Sequence, residues 1–156
     1  MKQVEYEEAE NRKRSQANII LSVNNNQEVM VFPVVPEINV SKPQDNTTFE
    51  TINNGTMNLI GDEGLRTFNV SSIFPCREYS WLKIGSVSDG FAYVDFINRW
   101  RSKKYPFRIY VSRPDGREWF NMAVLIDAFD FSVMRNGDIK YSLSFSEYRF
   151  VKVKVS

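Results

Sequence analysis

The dipeptide Asn136-Gly137 is the feature that most constrains this chain, because of what flanks it. On one side Ala128–Met134 alternates, with Phe129, Phe131 and Val133 on one face. On the other, Ile139, Tyr141, Leu143 and Phe145 alternate in the same way. A side-chain period of two belongs to a half-buried strand, and Asn-Gly is the strongest short hairpin signal. The pair therefore predicts a hairpin with a type I′ turn or a close variant, and φ > 0 at Gly137. A chain committed to such a hairpin needs further strands beside it.

The rest of the sequence offers them. Ala17–Val23 and Glu28–Val34 are apolar runs around the polar turn Asn24–Gln27, and Pro33 and Pro36 end the second. Ser41–Thr48 reads as a polar loop. Thr47–Ile52 and Met57–Ile60 are short strands around Asn53-Asn54-Gly55, and Gly61-Asp62-Glu63-Gly64 is a second breaker. Arg66–Ser72 places Phe68 and Val70 on one face, and Pro75 stops it. Phe107–Ser112 is followed by the turn Arg113-Pro114-Asp115-Gly116 and then by Trp119–Ile126. Tyr148–Val155 sets Val151, Val153 and Val155 against Lys152 and Lys154, the pattern of a protected sheet edge.

One helix interrupts the strands. Ser88 or Asp89 can cap it, and Tyr93, Phe96, Ile97 and Trp100 fall at i, i+3, i+4 and i+7. Arg99, Arg101, Lys103 and Lys104 load its C-terminal end, where cations complement the helix dipole, and Pro106 bars extension. The expected class is mainly β with one amphipathic helix: about eight strands in an antiparallel sandwich or barrel over residues 17–156. Residues 1–16 form a separate charged arm, with Glu8–Arg12 and Glu10–Arg14 in the i,i+4 orientation that supports a short helix.

Composition narrows the function. The 156 residues include no histidine and one cysteine, Cys76. The His-dependent triads, the common zinc sites and an intrachain disulfide go together. Lysine plus arginine (20) nearly balances aspartate plus glutamate (19), for a net charge of +1, which argues against a nucleic-acid binder. Cys76 lacks an activating base. Asp127 with Asp130, and Asp62 with Glu63, are paired carboxylates in turns and at strand ends, with no pocket implied, and none fits a calcium loop. Gly61–Gly64 matches a G-x-x-G phosphate loop, but its acidic centre would repel a phosphate backbone. No cofactor or metal is expected.

No apolar stretch approaches the ~20 residues of a membrane span, and the first residues lack the apolar core of a secretory signal. The triplets at Asn46, Asn54 and Asn69 then carry no glycosylation meaning. What stands out is aromatic content of 14%, with 12 Phe, 7 Tyr and 3 Trp, which suits sheet surfaces and subunit interfaces.

Several blocks occur in an informative order. They are Phe32-Pro33-Val34-Val35-Pro36-Glu37, Ile52-Asn53-Asn54-Gly55-Thr56-Met57-Asn58-Leu59-Ile60-Gly61, Gly64–Pro75, Phe96-Ile97-Asn98-Arg99-Trp100-Arg101 and Tyr141–Phe150. Together, over about residues 17–153, they resemble the N-terminal domain of the LysM-bearing tail-assembly proteins of PBSX-like prophages, which belong to contractile phage tails and phage-tail-like bacteriocins. The resemblance implies a tail-tube-like β domain in a baseplate and no catalytic residue. It implies a tube adaptor or initiator joining tail tube to central hub, or a wedge-to-hub clamp, located in the virion or tail-like particle after synthesis in the host cytoplasm. The implied partners are further copies of the chain in a ring of six, the tail tube protein, the hub or spike, and wedge or sheath-initiator proteins, with neither a membrane nor a specific nucleic-acid sequence. The family's LysM module has no counterpart in these residues, so its contacts are not carried over. Candidate interface residues are Ser132, Ser142, Ser144, Lys152, Lys154, Arg99 and Arg101. A nucleic-acid or cell-wall binding module is the alternative of a different class, and a wall hydrolase would require two carboxylates flanking a pocket.

Overall fold

A computed structural model describes residues 16–150. Its elements are β1 (Ile19–Val23), β2 (Glu28–Val31), β3 (Asn39–Ser41), β4 (Thr47–Thr51), β5 (Gly55–Leu59), β6 (Thr67–Phe74), helix α1 (Gly90–Ser102), β7 (Phe107–Ser112), β8 (Glu118–Val133) and β9 (Ile139–Glu147). Seven strands form one antiparallel sheet in the order β2-β1-β7-β8-β9-β6-β3, and β4 and β5 pair separately. The mainly antiparallel β class with one helix holds. The sheet stays open, with β2 at one end and β3 at the other.

The aromatic content is spent on one core. Phe74 stacks on Tyr141 at 3.8 Å and on Tyr93 of α1 at 4.6 Å, while Phe32 meets Phe74 edge-on at 5.5 Å. Tyr93, Phe96, Ile97 and Trp100 are all buried, so the predicted stripe of α1 is the face that packs on the sheet. Asp89 is the cap, accepting a hydrogen bond from the Phe91 amide. The Tyr93 hydroxyl donates to the Val31 carbonyl (2.6 Å) and accepts from the Val87 amide (2.8 Å), fixing the helix to β2. Burial raises its pKa above the ordinary tyrosine value.

Four expectations are corrected. The predicted strands Trp119–Ile126 and Ala128–Met134 are one strand, β8, with a bulge between Ile126 and Ala128. An extra residue slips the face pattern by one, which reads as a break in sequence while the backbone continues. The turn at Asn136-Gly137 has φ +95° at Gly137 but none at Asn136, so it is not type I′. The Gly137 amide bonds the Met134 carbonyl and the Met134 amide bonds the Asp138 carbonyl, closing a loop over 135–137 with glycine at the left-handed position. Ser41–Thr48 is not simply a loop: β3 ends at Ser41, and a bridge joins Gln44 to Glu63. Tyr148–Phe150 has no strand structure. The remainder of that predicted strand, with Lys152 and Lys154, and nearly all of the 1–16 arm lie outside the described residues.

Candidate assembly surface

β8 changes partners along its length. Glu118–Val124 pairs with β7, and Val124–Val133 pairs with β9. Leu125–Val133 thus has one side with no strand against it among the described residues. The strand is long because its apolar period spans both halves, while β7 ends at Phe107, preceded by Pro106, which cannot donate to a ladder. Phe131 and Val133 share a face with buried Tyr141 and Ile139, yet are 45% and 56% exposed because no described strand lies beyond them. An open edge with apolar residues is what soluble proteins usually suppress.

The edge at β2 shows that suppression. Val31 bridges Ser86 and the Lys83 amide bonds the Pro33 carbonyl, so the loop after Pro75 covers it. That loop is itself held by Asp138, a buried carboxylate just past the Gly137 turn. It accepts from the Cys76 amide (2.9 Å), the Tyr79 hydroxyl (2.7 Å) and Asn136 (3.3 Å). The Cys76 amide is the main reason its pKa lies below the ordinary aspartate value, with help from Tyr79.

The predicted interface residues separate into two groups. Ser132, Ser142 and Ser144 lie on the sheet face opposite the buried Tyr141 and Leu143, and Ser142 is level with Asp130 and bonds Ser71 Oγ at 3.0 Å. They form one polar outer face with Asn69 and Lys140. Arg99 and Arg101 sit elsewhere, at the end of α1. Arg99 makes a two-pronged pair with Glu28 (2.6 and 2.9 Å), and Trp100 Nε1 donates to the same carboxylate at 3.0 Å. This holds the Glu28 pKa below the usual carboxylate value, chiefly through Arg99. Arg99 therefore braces helix to sheet within the chain.

The predicted strands Thr47–Ile52 and Met57–Ile60 are present as β4 and β5, but sequence reasoning did not show that they form an exposed arm over residues 42–66. The β3–β6 pair continues outward through Asp45 N–Asp62 O (2.8 Å) and Gly64 N–Pro43 O (2.7 Å) into β4–β5. At Gly61 the strands approach so closely that a Cβ would lie 1.6 Å from the Asp45 carbonyl oxygen, so only glycine fits. Register puts Phe49 opposite Met57 and Thr47 opposite Leu59 on one face. Phe49, Met57 and Leu59 are 41–58% exposed, and Ile52 at the tip is fully exposed. The alternation Phe49–Thr51 against Met57–Leu59 was the available signal.

No group of three or more potential metal ligands clusters among the described residues, and no helix there is long and apolar enough to cross a membrane. A groove of about 390 Å³ lies at the Phe107 end of β7, lined by Ser22, Asn24–Asn26, Tyr105, Pro106, Arg108 and Phe150 among others.

Neither a protein-family model nor a curated protein matches the chain, so the resemblance to LysM-bearing tail-assembly proteins has no support from a matching model. Solved structures do match. A chain from the tail of an empty gene transfer agent particle, refined helically with C6 symmetry, superposes with a TM-score of 0.55 at 12% identity, covering 90% of this chain and 96% of that one. A chain from the virion of a native gene transfer agent particle gives a TM-score of 0.55 at 9% identity, covering 85% of this chain and 92% of that one. The fold is the one these phage-like tail particles use.

Proposed function

We propose that this chain is a structural, non-enzymatic subunit of a contractile phage tail or tail-like bacteriocin: a ring-forming tube adaptor or initiator that joins the tail tube to the central hub of the baseplate. The unpaired Leu125–Val133 side of β8 carries this reading. Directions alternate through β8, β9, β6 and β3. The open side of β3 in one copy would thus meet the open side of β8 in the next as an antiparallel pair. Repeating the contact closes a ring in which backbone edges disappear, as in a barrel. The polar outer face with Ser132, Ser142 and Ser144 would line the channel or contact neighbours. The fold shared with tail chains assembled under C6 symmetry supports six copies. The tube protein, hub and wedge proteins are the partners this reading assigns, and residues 17–156 act as one domain with 1–16 as an added arm.

The test is a reconstruction of the particle together with deletion of the coding sequence. An axial ring between tube and hub, and unjoined or absent tails in the deletion strain, are expected. Normal-length tails with intact baseplates would refute the adaptor role. A peripheral position on the wedges would replace it with the clamp.

A further inference from the structure

The β4–β5 arm and the groove beside Phe107 are complementary parts of one chain that do not meet within it. Resting on the ring reading above, we propose that the arm of one copy seats in the groove of the neighbouring copy, locking the edge pair.

Strand levels give the placement. Ser41, Thr67, Ser146 and Leu125 share one level across β3, β6, β9 and β8. Phe107 and Val23 lie one residue further along, level with Val124, on the side of β8 left open above them. When β3 of the next copy pairs with that open side, its chain runs toward the Leu125 level and continues past Ser41 into the arm. The arm then arrives where the groove lies.

Surface chemistry agrees with that path. The arm brings an apolar face of Phe49, Met57 and Leu59 and an apolar tip, Ile52, into water. A two-stranded hairpin alone is marginally stable, so such a face calls for a cover. The groove offers Tyr105 and Phe150, 46% and 64% exposed, with Pro106. Charges match as well. Asp45, Glu50 and Asp62 on the arm form no ion pair among the described residues, whereas Lys42 and Glu63 pair with each other. Arg108 lines the groove and Lys104 precedes its Tyr105; neither forms an ion pair among the described residues, and the Arg108 guanidinium donates to Asn121. Opposite charges at the rim select the partner and its register. The contact is heterologous, which is what a closed ring requires.

Crosslinking in assembled particles tests this. Cys76→Ser removes the native thiol. Ile52→Cys with Tyr105→Cys then probes the arm contact, and Asn39→Cys with Ala128→Cys, which share one level on the outer face, probes the edge contact, both with a short bismaleimide. Ladders between copies from both pairs are expected. An edge ladder without an arm ladder, or an arm crosslink only within monomers, overturns the arm proposal and leaves the ring intact. An arm ladder without an edge ladder keeps the arm contact and discards edge pairing. Neither ladder removes both. Independently, Glu50→Lys should lower particle yield at least tenfold, and Lys104→Glu in the same chain should restore it; loss without rescue counts against the charge match.

Discussion

The helix-bearing sheet and the 42–66 arm are made of similar residues used in opposite ways. In the sheet, Phe32, Phe74, Tyr93 and Tyr141 pack on one another and are excluded from water. In the arm, Phe49, Met57 and Leu59 line a face that meets solvent, and order comes from backbone ladders and from Gly61. One region is stabilised by its own chain. The other holds its shape with its apolar face exposed to water. Hydrophobic burial dominates folding free energy, so the two should respond very differently to the same truncation.

The largest effect belongs to Trp100. It is 2% exposed and its indole bonds Glu28 beneath the Arg99 brace. Trp100→Ala should cost ~3–5 kcal/mol in urea unfolding. A loss below ~1 kcal/mol would mean that the helix stripe is not part of the core, and the contrast between the regions would collapse.

Asp138 comes next. Asp138→Ala leaves the Cys76 amide and Tyr79 hydroxyl without their acceptor, a cost of about 1–3 kcal/mol. The pH dependence has a fixed sign. Asp138 and Glu28 both have folded pKa values below their ordinary ones. For Glu147, burial pushes upward but pairing with Arg66 and Arg149 outweighs it, leaving its pKa lowered too. Groups with depressed folded pKa values add stability that is complete above the unfolded carboxylate range and is lost as pH falls through the folded values. Stability should therefore decline in acid below about pH 4, where unfolded carboxylates protonate. Asp138→Ala should flatten part of that decline; an unchanged acid limb would assign it to other groups.

How much of this was legible in sequence depended on whether the residues answer to local or to distant partners. The α1 stripe, the Asp89 cap and the β9 alternation follow local periodicity and were readable. The continuity of β8 was hidden because the bulge at Asp127 shifts the face pattern by one residue. The short β3 was hidden because its three exposed residues are ordered only by pairing with β6. Alternation alone places Ser132, Ser142 and Ser144 on the polar face of the sheet, where the register has them. That Arg99 would be used by Glu28, 71 residues away, has no local signature. The open half of β8 is a property of where β7 stops, which no window of sequence contains.

A smaller effect tests the quality of the core itself. The Tyr141 hydroxyl is buried without a hydrogen-bond partner among the described residues, and burial pushes its pKa far up. Its ring is held by Phe74 stacking and by Phe32. Tyr141→Phe keeps the ring and removes an unpaired polar group, so stability should stay level or rise by about 1 kcal/mol. A clear loss would show that the hydroxyl has a partner, such as an internal water, that helps hold the core together.

The smallest effect is the most discriminating. Phe49→Ala removes a large apolar side chain, as Trp100→Ala does, but from a position 48% exposed on a hairpin separate from the main sheet. Only part of its area leaves water on folding, chiefly against Met57, and a cross-strand pair of this kind contributes roughly 0.2–1 kcal/mol. Global unfolding of the isolated chain should move by less than about 0.5 kcal/mol, because the arm can open while the sheet stays folded. Assembly should behave otherwise: the same substitution takes away the centre of the arm's apolar face, and truncating a buried interface aromatic costs upwards of ~1 kcal/mol per contact, repeated around a ring. Measuring urea midpoint and particle yield for the one variant separates the two uses of an aromatic residue. A shifted midpoint with normal particles would place Phe49 with the core residues, whereas an unmoved midpoint with lost particles makes the arm a surface kept for a neighbour.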